Sequence, residues 1–201
     1  MGKVYSTICG RRTIRRFQNR SIPENIITKL ANAARLAPSC SNIQPCEFIV
    51  VDNPQMVDQI FSCLRWASYI EPAGNPPKGE RPVLYIVALI NVRLKKKGGE
   101  SDVAAAIQNI LLTAWEEGIG SCWLQSINCK QIKTLLRIPH YLNVNSIIAL
   151  GYPNEQPVVE IARESAIKYW KDKDGVIHVP KRTLKDVIHR NIYGHCHSSD
   201  T

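Results

Sequence analysis

Hydrophobic residues recur with two different periods along the chain, and these periods predict its helices and strands. In residues 24–36 and 101–117 they recur every three or four positions, as in helices that bury one or more faces. Continuous apolar runs predict a buried strand at residues 47–51, a central strand at 83–90, and further strands at 119–124 and 144–150. Shorter helices are predicted at residues 4–9, 54–65 and 130–136. This alternation predicts an α+β sandwich with one mixed sheet.

Polar residues at the helix starts refine this order. A hydroxyl residue followed by an acidic residue predicts helix starts at Ser21, Ser101 and Thr183. The last of these helices is expected to turn Leu184, Val187 and Ile188 inward. Residues 172–175 (Asp-Lys-Asp-Gly) predict a hairpin between residues 166–170 and 176–179. The helix at 101–117 is apolar nearly all round, which predicts a core helix that also meets a second subunit.

Two loops carry candidate chemistry. Between Pro38 and Pro45 lie small hydroxyl and amide side chains, which suit either a simple connection or hydrogen bonding to a polar ring. Residues 66–82 are rich in proline and glycine and include Trp66 and Tyr69. A long segment of this kind predicts an ordered loop over a site, with a mobile linker as the alternative.

The composition is that of a globular protein with basic character. The 201 residues are 44% hydrophobic and 21% charged, and the net charge of +9 suggests polyanionic or phosphorylated partners. The longest apolar run, residues 83–90, is too short to span a membrane, and no apolar leader is visible. The seven cysteines form no Cys-x-x-Cys pair, so we expect reduced thiols packed mostly as small apolar residues of a cytoplasmic protein, and no metal site. A metal-binding role for residues 195–197 (His-Cys-His) is less favoured than a frayed terminus.

Two runs of basic residues stand out. Residues 11–16 hold four arginines, and no acidic residue occurs before Glu24. Such a cluster needs either solvent or an anion: it is a solvated face, a nucleic-acid patch, or a site for bidentate contact with phosphate. Residues 95–97 are three lysines before two glycines, but the order Gly-Lys-Ser/Thr of a phosphate-binding P-loop is missing. Solvated charge is the expected role of these lysines.

Four motifs, taken in order and spacing, resemble the FMN-dependent nitroreductases over essentially the whole chain. They are Arg-Arg-Thr-Ile-Arg at 11–15, Pro-Ser-Cys-Ser-Asn-Ile-Gln-Pro at 38–45, the Ala-rich helix running into Gly-Ile-Gly-Ser-Cys-Trp at 118–123, and Lys-Arg-Thr-Leu at 181–184. The resemblance implies a single FMN-binding domain over residues 1–201, with a flexible tail at 194–201. It also implies a mainly antiparallel central sheet, and a homodimer with the long buried helix at its interface and two FMN molecules bound there.

The same resemblance implies which residues bind the cofactor. Arg11, Arg12, Thr13 and Arg15 would contact the phosphate, ribityl chain and pyrimidine edge of the flavin. Residues along the flavin, partly from the other subunit, would be Pro38, Ser39, Ser41, Asn42 and Gln44. Leu124, Gln125 and Ser126 match the segment that passes the flavin N5, and Lys181 with Arg182 would close on the phosphate. The chain departs from the family pattern at Gln125, Ser126 and Cys46, and mildly at Thr13.

The function implied is a ping-pong reaction in which NADH or NADPH reduces the flavin at N5. A small electron-poor acceptor, such as a nitroaromatic or a quinone, then takes the electrons, and no side chain is required as a catalytic group. Trp66 and Tyr69 would roof the substrate pocket, or simply pack. Alternatives are dehalogenation or flavin cleavage by the same cofactor, a flavin-binding redox sensor, and a basic nucleic-acid-binding protein. The last is disfavoured by the few aromatic residues and the lack of a recognition motif, so neither nucleic acid nor membrane is expected as a partner.

Overall fold

A computed structural model describes residues 2–70, 74–163 and 166–194. The chain divides into two compact units, Met1–Glu155 and Gln156–Thr201. Each unit has its own sheet. Part of the expected loop over the site (71–73) and the tail 195–201 lie outside the described residues.

The N-terminal unit is built on a four-stranded sheet. Its strands are β1 (Cys46–Val51), β2 (Leu84–Asn91), β3 (Gly120–Leu124) and β4 (Leu142–Gly151), in the spatial order β1-β2-β4-β3. All neighbouring strands run antiparallel. The helices of this unit are α1 (Lys3–Gly10), α2 (Glu24–Arg35), α3 (Pro54–Phe61), α4 (Glu100–Glu116) and α5 (Cys129–Leu135).

The side chains of β2 alternate between the two faces of the sheet, and each face builds a core. Tyr85, Val87 and Leu89 pack in one cluster with residues of α3 and α5. Leu84, Ile86, Ala88 and Ile90 pack in a second cluster with residues of α2 and α4. Because successive side chains of a strand point to opposite faces, helices cover both sides of the sheet. The predicted α+β sandwich is confirmed, although the central sheet is antiparallel throughout.

Several local predictions need correction. β1 is an edge strand, with Val51 as its one buried residue, because it pairs with β2 on one side only. The expected cap at Ser21 is not formed, since α2 begins at Glu24 with Pro23 in the cap position. Ser101 is likewise not a cap. Gly99, with a φ of 105°, precedes the first residue of α4 and adopts a left-handed conformation that glycine tolerates well.

The C-terminal unit contains a small mixed sheet. Its strands are β5 (Val158–Ile161), β6 (Trp170–Lys171) and β7 (Ile177–Lys181), with β7 in the centre. The hairpin between β6 and β7 was predicted, whereas β5, which pairs parallel with β7, was not.

The expected capping box of Thr183 with Asp186 is present, but it starts a single 3₁₀ turn (Leu184–Asp186) and no longer helix. The prediction that three apolar side chains turn inward there is wrong: Leu184, Val187 and Ile188 are 72%, 47% and 43% exposed.

The cysteines are less buried than expected. Cys63 and Cys122 are buried, Cys46 is half-buried, and Cys9, Cys40 and Cys129 are exposed, all as free thiols. Within the described residues, no group of three or more His, Cys, Asp or Glu side chains is placed to hold a metal ion. No helix in that part of the chain is long and apolar enough to cross a membrane.

Candidate functional site

The basic segment, residues 11–16, lies along the free edge of β3. Thr13 forms a parallel bridge with Ser121, and the Ile14 N–H donates to the Ser121 carbonyl at 2.9 Å. A little further on, the Gln18 N–H donates to the Tyr152 carbonyl at 2.8 Å. The segment therefore extends the sheet beyond β3, and backbone hydrogen bonds fix its path.

Two buried side chains anchor this segment. Ile14 and Phe17 are 1% and 0% exposed. Each packs against a glycine that makes room for it: a Cβ at Gly120 would lie 2.8 Å from Ile14, and one at Gly151 would lie 2.9 Å from Phe17. With Ile14 and Phe17 turned inward, the four arginines and Thr13 of the segment are half-buried at the surface.

The arginines of the segment differ in their partners. The Arg16 Nη1–H donates to Glu80 Oε2 at 2.8 Å, which neutralises that charge. Among the described residues, neither Arg11 nor Arg12 forms an ion pair with a carboxylate, and the Arg12 guanidinium donates to the carbonyls of Arg11 and Cys9. Burial, and then the positive charge of Arg12, lower the pKa of Arg11. Positive charge that is partly desolvated and unneutralised favours an anion at this position.

Glu155 holds the backbone of the same segment and was missed by the sequence analysis. Its Oε1 accepts the N–H groups of both Arg15 and Arg16, the latter at 3.2 Å. Glu155 is 140 residues from Arg15 and 139 residues from Arg16 along the chain. No periodicity or motif marks such a contact in advance, so nothing in the sequence could have identified it.

The loop from Pro38 to Pro45 forms a 3₁₀ turn (Cys40–Asn42). The Gln44 N–H donates to Ser39 Oγ at 2.9 Å, so the loop is closed by its own hydroxyl side chain. Ser39 and Gln44 line a cavity of about 460 Å³ together with Pro38, Cys46, Asp102 and Ala106, among others. Ser41 and Asn42 are exposed.

The residues after β3 face a different space. Gln125 lines an open cavity of about 600 Å³ with Ser101, Ala104, Trp123 and Asn145, among others. Asp102 and Ala106 of α4 therefore border the first cavity, and Ser101 and Ala104 border the second.

The basic segment and Gln125 share one edge of the sheet. Thr13 pairs with Ser121, and Leu124 is about 10 Å further along the strand at ~3.3 Å per residue. The Leu124 side chain is buried, so this residue offers only its backbone to a ligand. Ser126 lines a separate cavity of about 420 Å³, and its carbonyl accepts the Arg65 N–H at 3.1 Å.

The four other predicted site residues lie in different surroundings. Trp66 is 1% exposed and packs against Phe61 with ring centroids 5.7 Å apart, which favours the packing alternative over a pocket roof. Tyr69 is 59% exposed. Lys181 lies at the end of β7 in the C-terminal unit, and Arg182 donates to the Asp186 carbonyl there. Their approach to a phosphate stays a prediction.

A polar chain beside the Gln125 cavity was also missed. The Trp123 Nε1–H donates to Ser146 Oγ at 2.8 Å, and the Ser146 hydroxyl donates to Asn145 Oδ1 at 2.8 Å. Ser146 is fully buried, and this chain satisfies it. The chain fixes the orientation of the Trp123 ring, and both Trp123 and Asn145 line the cavity.

Known proteins share the sequence family of this chain. The profile of the Nitroreductase family matches residues 8–152. A protein of Methanothermobacter thermautotrophicus, provisionally named an NADH dehydrogenase/NAD(P)H nitroreductase, is 36% identical over 160 residues, which are 77% of this chain and 79% of that protein.

Two solved structures have the same fold. A Parabacteroides distasonis protein with the same provisional name superposes with a TM-score of 0.72 at 23% identity, covering 96% of this chain and all of the other. A Desulfovibrio desulfuricans protein, provisionally named a nitroreductase and solved in complex with FMN, superposes with a TM-score of 0.66 at 26% identity, covering 83% and 94% of the two chains. The chain belongs to the nitroreductase family.

Proposed function

We propose that the protein is an FMN-dependent oxidoreductase that passes electrons from NADH or NADPH to a small electron-poor acceptor, such as a nitroaromatic or a quinone. The observation that carries the proposal is the pair Arg11 and Arg12, which among the described residues have no carboxylate partner and stand on a segment bonded to β3. A phosphate dianion supplies the charge that this pair lacks, and the guanidinium forks can grip it bidentately. The name of the Desulfovibrio relative, solved with FMN, agrees with this reading.

The available donors fit the rest of the cofactor. Arg11, Arg12, Thr13 and Arg15 would hold the phosphate, the ribityl chain and the pyrimidine edge. The backbone of Leu124 and Gln125, on the same sheet edge, would pass the ring, with Ser126 a weaker candidate because its carbonyl is already bonded to Arg65. FMN, when bound, supplies the redox chemistry, accepting hydride at N5 and returning electrons to the acceptor.

The protein's own task would be to position and to stabilise charge. Cations near the pyrimidine edge favour the negative charge of a reduced ring, and no side chain is needed to donate or accept a proton. The polar loop residues Ser39, Ser41, Asn42 and Gln44, with Pro38, would contact the ring, partly from a partner subunit. Lys181 and Arg182 would add a second pair of cations at the phosphate.

A homodimer is part of the proposal. None of the eight residues of α1 is buried, and Val4, Tyr5 and Ile8 are 71%, 58% and 46% exposed. The described chain thus leaves an apolar helix face uncovered, as subunit interfaces do. Sedimentation equilibrium should give a mass near twice 22.6 kDa. A monomer at micromolar concentration would contradict this part of the proposal.

The test of the cofactor is the absorbance spectrum of the purified protein, followed by titration of apoprotein with FMN. The proposal predicts a yellow protein that binds FMN and is bleached anaerobically by NADH or NADPH. A colourless protein that does not take up FMN would contradict it. With FMN bound, turnover against nitroaromatics, quinones and halophenols then separates acceptor reduction from dehalogenation. Slow reduction of the bound flavin by both NADH and NADPH would favour a redox sensor.

A further inference from the structure

The loop from Ser39 to Gln44 has an unusual backbone. Three of its residues, Ser41, Asn42 and Gln44, have φ values of 51°, 54° and 54°, in the left-handed region that residues other than glycine rarely occupy. None of the three is a glycine, so the run of left-handed residues costs backbone energy at Ser41 and Gln44 and less at Asn42, since asparagine tolerates this region better. Such a conformation persists only where surrounding contacts hold it in place.

Part of this support comes from within the loop. The Asn42 N–H donates to the Ser39 carbonyl at 2.9 Å, and the Ile43 N–H to the Cys40 carbonyl at 3.1 Å. The Gln44 N–H donates to Ser39 Oγ. These bonds shape the turn, but they do not attach it to the rest of the protein.

The attachment to α4 is a single hydrogen bond. The Cys40 N–H donates to Asp102 Oδ1 at 3.0 Å, and among the hydrogen bonds of the described residues this one joins the loop to α4. The Asp102 side chain is only 5% exposed. A carboxylate so buried needs a cation or it loses its charge, and with the charge it loses strength as an acceptor.

Lys95 supplies that cation. Its Nζ–H donates to Asp102 Oδ2 at 2.7 Å, and the lysine side chain is 17% exposed. The chain reverses at Gly98 and Gly99, with φ values of 77° and 105°, which brings Lys95 back to the first turn of α4. A Cβ at Gly99 would lie 3.0 Å from Ile90, so the turn is also packed tightly against β2.

We propose that Lys95 and Asp102 are positioning residues that hold the Ser39–Gln44 loop in the conformation in which it contacts FMN. The inference rests on the proposed function and adds two residues to it. Lys95 keeps Asp102 ionised, and Asp102 holds Cys40, which places the loop side chains.

The direct test is FMN affinity, measured by fluorescence titration of apoprotein. Lys95→Met should raise the FMN dissociation constant about tenfold or more, because three loop side chains must then be ordered on binding. Lys97→Met is the matched control: it removes the same charge from an exposed neighbour and should change the constant less than about threefold. Lys95→Arg should restore most of the affinity. Equal affinities for Lys95→Met and Lys97→Met would overturn the inference.

A double-mutant cycle separates positioning from a general loss of stability. Asn42→Ala should weaken FMN binding in the parent and have little further effect in Lys95→Met, because the loop is already misplaced there. Additive losses would overturn the inference. Asp102→Asn, which keeps an acceptor for Cys40 but no charge, provides a second route should Lys95→Met fold poorly. It should also weaken binding.

Hydrogen exchange of the FMN-free protein gives a readout that does not depend on the cofactor. In Lys95→Met the amides of Asn42, Ile43 and Gln44 should exchange faster than in the parent, while those of β2 should not change. Unchanged protection in the loop would overturn the inference. If the parent itself binds no FMN, the proposed function fails, which is distinguishable from a parent that binds FMN equally well with and without Lys95.

Discussion

Two basic runs, residues 11–16 and 95–97, look alike in the sequence but have different surroundings in the fold. In the first, Arg16 is paired with Glu80, while Arg11 and Arg12 have no carboxylate partner among the described residues. In the second, Lys95 is turned inward onto a buried carboxylate, and Lys96 and Lys97 remain exposed. The first run contains two arginines that no described carboxylate neutralises, and the second uses one of its charges in an ion pair inside the protein.

The difference lies in which acids the fold brings to each run. Glu80 and Glu155 reach the arginine segment from far along the chain and hold one guanidinium and two backbone amides. They leave the charge of the first two arginines uncompensated. A count of basic residues therefore does not distinguish a ligand site from a structural ion pair; the position of the nearest carboxylate does.

The largest effect is expected from removing Arg11 and Arg12, which have no carboxylate partner among the described residues. Arg11→Ala with Arg12→Ala should raise the FMN dissociation constant about a hundredfold or more, because each charge-assisted hydrogen bond is worth about 1.5–3 kcal/mol. Fluorescence titration measures it. Arg20→Ala is the control, since Arg20 stacks over the Tyr152 ring at 3.9 Å, and it should change the constant only slightly. If the double variant binds FMN as the parent does, the segment is a solvated face.

The anchoring of the segment is tested by Phe17→Ala. Phe17 is fully buried against Gly151, so its truncation should cost about 3–5 kcal/mol of the free energy of unfolding. Urea denaturation gives the value. Tyr193→Ala removes an aromatic ring that is 89% exposed and should cost less than about 0.5 kcal/mol. Similar costs for the two variants would mean that the segment is not anchored by its buried face.

The parts of the fold that could be predicted are those with strong local patterns. β2 and α4 have long apolar runs, and Gly118, with a φ of 73°, ends the helix as expected. β1 was predicted as buried because its residues are apolar, but whether a strand lies at an edge depends on pairing with distant strands. β5 has only four residues, mostly exposed, and so carries no period to detect.

For the candidate site, sequence motifs mark the segments that we propose to bind the cofactor, but not the residues that hold those segments in place. The arginine segment and the polar loop carry motifs, whereas the support from Glu155 depends on tertiary contact alone. Lys95 and Asp102 are only seven residues apart, yet the lysine was expected to be solvated. The glycine turn directs this lysine inward, and the pattern of residues along the sequence does not show in which direction a turn will point a side chain.

A third cluster of charged residues lies in the C-terminal unit, and it differs from the two basic runs because its charge changes with pH near neutrality. His178 Nε2 lies 3.1 Å from Asp172 Oδ2, its Nδ1 lies 3.1 Å from Glu160 Oε2, and Trp170 stacks on the ring at 4.1 Å. The hydrogen bond to Asp172, and then that to Glu160, raise the pKa of His178. The pKa of Asp172 is lowered chiefly by His178, and that of Glu160 chiefly by Trp170.

The sign of the pH dependence follows from these shifts. The stabilisation by His178 is complete below its ordinary pKa of about 6.5 and is lost as the pH rises through the raised value. The stabilisation by the two carboxylates is present above their ordinary pKa values near 4, and it is lost as the pH falls through their lowered pKa values. Strands β5–β7 should therefore be most stable between about pH 5 and 6.5. Hydrogen exchange against pH measures this, and His178→Gln should flatten the profile above pH 5. An NMR titration midpoint of His178 below about 6.5 would contradict the prediction.

The smallest effect is expected within the arginine segment itself. Arg16 already donates to Glu80, and the two side chains are 33% and 26% exposed, so Arg16→Gln should change the FMN dissociation constant less than about threefold. Arg15→Gln removes one charge two residues beyond Thr13 and should raise the constant about tenfold if Arg15 contacts the flavin. Titrating the two variants side by side compares Arg15 with its neighbour Arg16, which is paired with Glu80. A larger effect for Arg16 would mean that it leaves Glu80 to bind the cofactor, so that an ion pair with a carboxylate does not keep an arginine of this segment from the ligand.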